Sequence, residues 1–168
     1  MSRNDFDKTL DAWISDIRLK SFDELCTKPS PTSWSLGQLG MHLIESTSYY
    51  MDQVNFCLSS DDNVLEGMSS EANVMFNNNE FPDEVIEGPP SNADTPQPES
   101  KEELLRGFLE LKAEIGRMEK LISTSLSKGK TKHPGLHYFN AQEWYQFAAM
   151  HFRHHMRQKK RIEAFLKS

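Results

Sequence analysis

Cysteine is scarce in this chain. Cys26 and Cys57 stand far apart, without the Cys-x-x-Cys spacing of zinc ribbons or redox dithiols, so neither a disulfide framework nor a thiolate metal site is supported. Both fall in apolar helical patterns and read as small packing residues. Long apolar runs are also missing. Nothing approaches the ~20 residues of a membrane-spanning helix, and Met1-Ser2-Arg3-Asn4-Asp5-Phe6-Asp7 lacks the apolar core of a signal peptide. The expectation is a soluble, cytoplasmic protein with no membrane partner. An excess of basic charge is absent too: the net charge is −6 and the pI near 5.5, which argues against a nucleic-acid partner, since such domains are normally basic overall. No segment sustains the period-two alternation of a half-buried strand, and no internal repeat is present. What is left is an all-α protein.

The 168 residues suit one domain spanning 1–168, long enough to bury roughly two-thirds of the surface its unfolded form exposes. Four amphipathic segments stand out. Phe6, Leu10, Trp13, Ile14, Ile17 and Leu25 mark a first helix over residues 3–27, ending before Pro29 and Pro31. Ser33 or Thr32 can cap a second over 34–59, striped by Leu36, Leu39, Leu43, Tyr50, Val54 and Cys57. The third starts at Ser100, where Ser-Lys-Glu-Glu reads as a capping box, and carries Leu104, Phe108, Leu111, Ile115, Met118 and Ile122. The fourth runs over 141–166. Four such stripes are buried most economically in an antiparallel four-helix bundle, with short turns joining helices one to two and three to four. Residues 60–99 then form a long crossover between helices two and three. Asn77-Asn78-Asn79, Pro82, Gly88-Pro89-Pro90, Pro96 and Pro98 mark it as largely irregular, whereas Phe76, Phe81, Val85 and Ile86 require burial, so residues 70–90 are expected to pack on the bundle.

His151 and His155 lie four residues apart in the fourth segment and so share one helix face. Their row also holds Trp144, Ala148, Ile162 and Phe165, which turns the pair inward. A buried polar group without a partner costs on the order of 1–3 kcal/mol, and a divalent cation satisfies both rings at once. Outside the terminal cluster only His42 falls in a predicted helix, near the edge of the buried stripe. One histidine from helix two with the pair from helix four makes three neutral nitrogen donors with coordination positions left open, the pattern of a catalytic rather than a structural site. A lone helical histidine is also commonly a hydrogen-bonded core residue, so spacing alone leaves both readings open.

The segment Trp34-Ser35-Leu36-Gly37-Gln38-Leu39-Gly40-Met41-His42-Leu43, followed by His151-Phe152-Arg153-His154-His155-Met156-Arg157-Gln158, resembles the DinB-like superfamily of four-helix-bundle metal-binding proteins. Its members carry Trp-Ser, a helix-two histidine followed by leucine, and a helix-four His-x-x-x-His with glutamine three residues on. His133-Pro134-Gly135-Leu136 and Gln142-Glu143-Trp144 are similar to a branch described as a DinB-like domain of unknown function. The resemblance implies His42, His151 and His155 as ligands of a divalent metal, zinc or nickel, and a thiol-dependent transferase, isomerase or hydrolase reaction. Three imidazoles by themselves suit zinc, nickel, copper and iron alike. Family analogy also implies a homodimer, although no heptad pattern requires one. Two functions follow: a metal-dependent enzyme acting on a small molecule such as a low-molecular-weight thiol, or a non-catalytic metal-binding or stress-related bundle. Because unperturbed histidine titrates near ~6.5, protons are expected to compete with the metal in the slightly acidic range.

Other residues are assigned more modest roles. His154 is rotated about 100° from His155 and faces the surface or the outer edge of the site. His133 and His137 sit in a Gly/Pro turn, either at the bundle mouth or hydrogen-bonded to backbone. Gln158 is placed to orient the His155 ring or to pack between helices. Glu45, one turn after His42, is a nearby candidate general base or a solvated surface glutamate. Trp34 and Trp144 read as core. Arg153, Arg157, Lys159, Lys160 and Arg161 complement the macrodipole of the last helix rather than bind an anion.

Overall fold

The computed structural model describes residues 3–82 and 94–168. Four long helices carry the bundle: α1 (Arg3–Leu19), α3 (Leu36–Leu58), α5 (Lys101–Thr124) and α6 (Ala141–Lys167). Two short helices, α2 (Phe22–Cys26) and α4 (Ser70–Asn78), and a hairpin of β1 (Lys130–His133) and β2 (His137–Asn140) complete it. The helix α3 packs against α5 and α6, and α1 closes the other side against the same two. The shared core is built on Phe6, Leu10, Trp13, Leu39, Leu43, Phe108, Ile115, Trp144 and Phe152, all essentially inaccessible. Trp13 stacks on Phe108, and Phe6 meets Tyr145 and Phe152.

The first predicted helix is two helices. Ser21 accepts from the Glu24 N–H while the Glu24 carboxylate accepts from the Ser21 N–H, a capping box that restarts the chain as α2 and still delivers Leu25 to the core. Helix α3 is capped by Ser35 rather than Ser33 or Thr32. At Ser100 the hydroxyl accepts from the Glu103 N–H, but the Glu103 carboxylate accepts from Glu99 N–H, one residue before the predicted partner.

The crossover is less irregular than its composition suggests. Ser69 caps α4, and Asn79 ends it in the left-handed conformation (φ 53°) that asparagine tolerates, so part of the Asn-rich run is a helix terminus. Phe81 is buried, and Phe76 packs on Phe139 and Phe147. Val85 and Ile86 lie outside the described residues. Limited proteolysis of the native protein is therefore expected to spare the bonds from Ser70 to Phe81; rapid cutting there would show that α4 does not dock.

The connection from α5 to α6 is not a plain short turn. Lys130 to His133 pairs antiparallel with His137 to Asn140, turning through Pro134-Gly135-Leu136, with His137 at φ 69°. Four-residue strands are too short to show a period in the sequence. The hairpin delivers Phe139 to the core beside Trp144 and leads into Asn140, which caps α6 with Glu143 in a reciprocal box.

Candidate metal centre

The neighbouring helices α3 and α6 bring His42, His151 and His155 together. Nε2 of His151 lies 3.4 Å from Nε2 of His42 and 3.1 Å from Nε2 of His155. The i, i+4 spacing on α6 supplies the pair, and His42 enters from the facing helix. His42 and His151 are buried and His155 is half-buried. Gln158, one turn on, sets its Oε1 3.0 Å from His155 Nδ1 and accepts the Nδ1 hydrogen, which leaves the Nε2 lone pair facing the centre. Ser46 Oγ stands 3.5 Å from His42 Nδ1, at the long end of hydrogen-bond range. His151 Nδ1 is buried and has no hydrogen-bond partner among the described residues.

Aromatic side chains surround the three rings. Trp34 lies 5.0 Å from His42, while Tyr50 and Phe81 lie 5.6 and 5.9 Å from His151, between ring centroids. This apolar collar disfavours the imidazolium form. Burial lowers the pKa of His42 to about 4. Burial, then the charge of His42, brings His155 to about 4 against a smaller opposing effect from Gln158. His151, enclosed and facing His155 and His42, is pushed well below the usual histidine range. All three rings are neutral at pH 7.

The remaining predicted residues divide clearly. His154 is half-buried, against Phe81 and beside the His155 ring, rather than fully on the surface. His133, expected in a turn, is the last residue of β1; its Nδ1 accepts from the Gly135 N–H and its ring packs on Phe139, Trp144 and Phe147. His137 is exposed, and so is Glu45. Trp144 is core, but Trp34 is only half-buried and forms part of the collar. Phe165, assigned to the inward row, is 41% exposed because it sits in the last turn of α6 beyond the bundle core. Of the basic residues on α6, Lys159 is buried between Asp16 and Glu163 over the Trp13 ring, and Arg153 donates to the Asn79 carbonyl at 2.5 Å. Sequence reasoning missed Ser46, Tyr50 and Phe81 as neighbours of the site. Ser46 was detectable, being four residues after His42 on the same helix; Phe81 was not, because its place depends on how the crossover docks.

The DinB superfamily profile matches residues 2–158, and the chain belongs to that superfamily. Neither a curated protein nor a solved structure matches the sequence significantly. Among the described residues no helix is long and apolar enough to cross a membrane.

The donor set fits a divalent cation. A tetrahedral site with metal–nitrogen bonds of about 2.0–2.1 Å requires nitrogens about 3.3 Å apart; the two separations from His151 Nε2, 3.4 and 3.1 Å, bracket that value, and all three donors lie within 4.8 Å of one another. Three neutral imidazoles crowding their ring nitrogens together are poorly satisfied by one another, since each can offer only one hydrogen. The cluster can therefore hold a metal ion. If it does, Gln158→Ala should weaken metal affinity by about 10–100-fold, because the His155 tautomer loses its restraint. Calorimetric titration checks this; unchanged affinity would reduce Gln158 to packing.

Proposed function

We propose that this DinB bundle is a metal-dependent enzyme acting on a small molecule, with His42, His151 and His155 holding a divalent cation, zinc or nickel, and with a low-molecular-weight thiol as co-substrate in a transferase reaction or water in a hydrolase reaction. The observation that carries the reading is the convergence of three neutral imidazole Nε2 atoms, two buried and one half-buried, without a carboxylate among them. A three-nitrogen donor set leaves coordination positions for a substrate, as catalytic zinc sites do. When bound, the cation supplies Lewis acidity that depresses the pKa of a thiol or water. The chain's own contribution is to keep the rings neutral by burial, to set the His155 tautomer through Gln158, and to surround the site with Trp34, Tyr50 and Phe81.

One observation favours a non-catalytic metal-binding module instead. His42 and His151 are only 8% and 7% exposed, which leaves little open surface at the cluster among the described residues. Metal analysis of untagged protein, followed by a screen of thiols against electrophiles and of hydrolysable esters and amides, separates the two. Turnover that disappears on chelation and returns with one equivalent of cation supports the enzyme. Stoichiometric metal with no turnover in any arm supports the module.

A further inference from the structure

The N-terminus of α3, nearly two turns before His42, is held by the end of the crossover. Ser35 Oγ accepts from the Gln38 N–H at 3.1 Å and donates to Gln97 Oε1 at 2.6 Å. Gln38 returns the cap by accepting from the Ser35 N–H at 3.0 Å, and its Nε2 donates to the Thr95 carbonyl at 2.9 Å in a buried bond. Both arms of this capping box thus end on the crossover. Gln97 Nε2 donates to the Cys26 carbonyl at 3.1 Å, tying the same strap to the end of α2. Pro98 lies so close to Gly37 that a β-carbon there would stand 2.8 Å from the proline Cδ and 3.0 Å from the Leu25 carbonyl oxygen. Only glycine allows that approach.

Gln38 and His42 are four residues apart on one helix face, about 6 Å along the axis. Anything that fixes the Gln38 turn fixes the height and rotation at which His42 reaches the α6 pair. We infer that residues 95–98 are a docked strap whose hydrogen bonds to Ser35 and Gln38 position His42, so that strap docking and metal binding stabilise one another. This rests on the three-histidine metal reading above. Gln97 and Gln38 are positioning residues, acting on the metal only through α3. Coupling of this kind is reciprocal: if the strap raises metal affinity, the metal must tighten the strap by the same factor.

The test uses the full chain and zinc or nickel alone. Gln97→Ala should lower metal affinity by about 10-fold, the lower end of what an orienting partner is worth, while helix content stays unchanged. The metal-induced rise in Tm should shrink accordingly, a readout that a merely structural role would leave alone, since such a role lowers the Tm of apo and loaded protein equally. In the wild type, metal should slow amide exchange at Gln38 and Leu39, whose N–H groups bond to the Ser35 side chain and carbonyl. Gly37→Ala, which pries at the strap without removing a hydrogen bond, should act in the same direction. Wild-type protein that binds metal, with Gln97→Ala binding equally well and exchange at Gln38 unaltered by metal, would overturn the inference and leave the metal site standing. Wild-type protein that binds no divalent cation would remove both.

Discussion

Replacing His151 with alanine is expected to abolish tight metal binding, with affinity falling by more than about 100-fold, because even an outer partner of a ligand is worth 10–100-fold. His42→Ala and His155→Ala should do the same. His151 is the sharpest case, since its Nε2 is within 3.4 Å of both of the others. Helix content should persist, as the core around Trp13, Leu39, Phe108 and Trp144 does not depend on the imidazoles. His154→Ala is the control. It packs on Phe81 beside the cluster but is not one of the three converging donors, so affinity should change only slightly. Calorimetry on the four variants decides the assignment; loss in His154→Ala with retention in His155→Ala would mean that α6 presents a different face.

The second large effect is with pH, and the structure revises what an unperturbed histidine suggests. Three imidazoles titrating near ~6.5 would lose metal affinity by roughly 10⁴-fold between pH 7 and pH 5. Burial instead places His42 and His155 at about 4, and His151 well below the usual range. Proton competition in the folded protein therefore starts only near pH 4, and affinity should hold within about 3-fold from pH 7 to pH 5. The acid cost is transferred to folding. The folded-state values lie below the unfolded value of 6.5, so the unfolded chain takes up protons first. The stability these neutral rings provide is complete above about 6.5 and is lost as the pH falls toward about 4. His133, brought to about 4 by burial in the aromatic cluster, adds to the same loss. Thermal melts of the metal-free protein should show Tm dropping through this window, with added metal restoring part of it. A 10⁴-fold fall in affinity by pH 5, with a flat Tm, would show that the rings are solvated.

The bundle and the inward histidine pair were legible because both rest on local periodicity, whereas grouping His42 with the pair rested on the family resemblance. Leu39, Leu43, Trp144, Ala148 and Ile162 repeat at helical spacing, and the same rule turns His151 and His155 inward together. What could not be read depends on tertiary contact. The break at Ser21 is the exception, a local Ser-x-x-Glu capping box hidden by an otherwise continuous apolar stripe. The hairpin of 130–140 has strands too short for a period, and Asn79 can be recognised as a helix end only once α4 exists. The depressed histidine pKa values follow from burial behind Trp34 and Tyr50 at α3 and Phe81 from the crossover, and the place of Phe81 is one that no spacing encodes.

The central claim is that three imidazoles, one from α3 and two from α6, hold one divalent cation. X-ray absorption spectroscopy of the protein loaded with one equivalent of zinc or nickel tests it most directly. The account predicts a coordination shell containing three imidazole nitrogens at about 2.0–2.1 Å for zinc, with no sulfur. A sulfur shell from Cys26 or Cys57, or a shell of oxygens with fewer than three imidazoles, would contradict it.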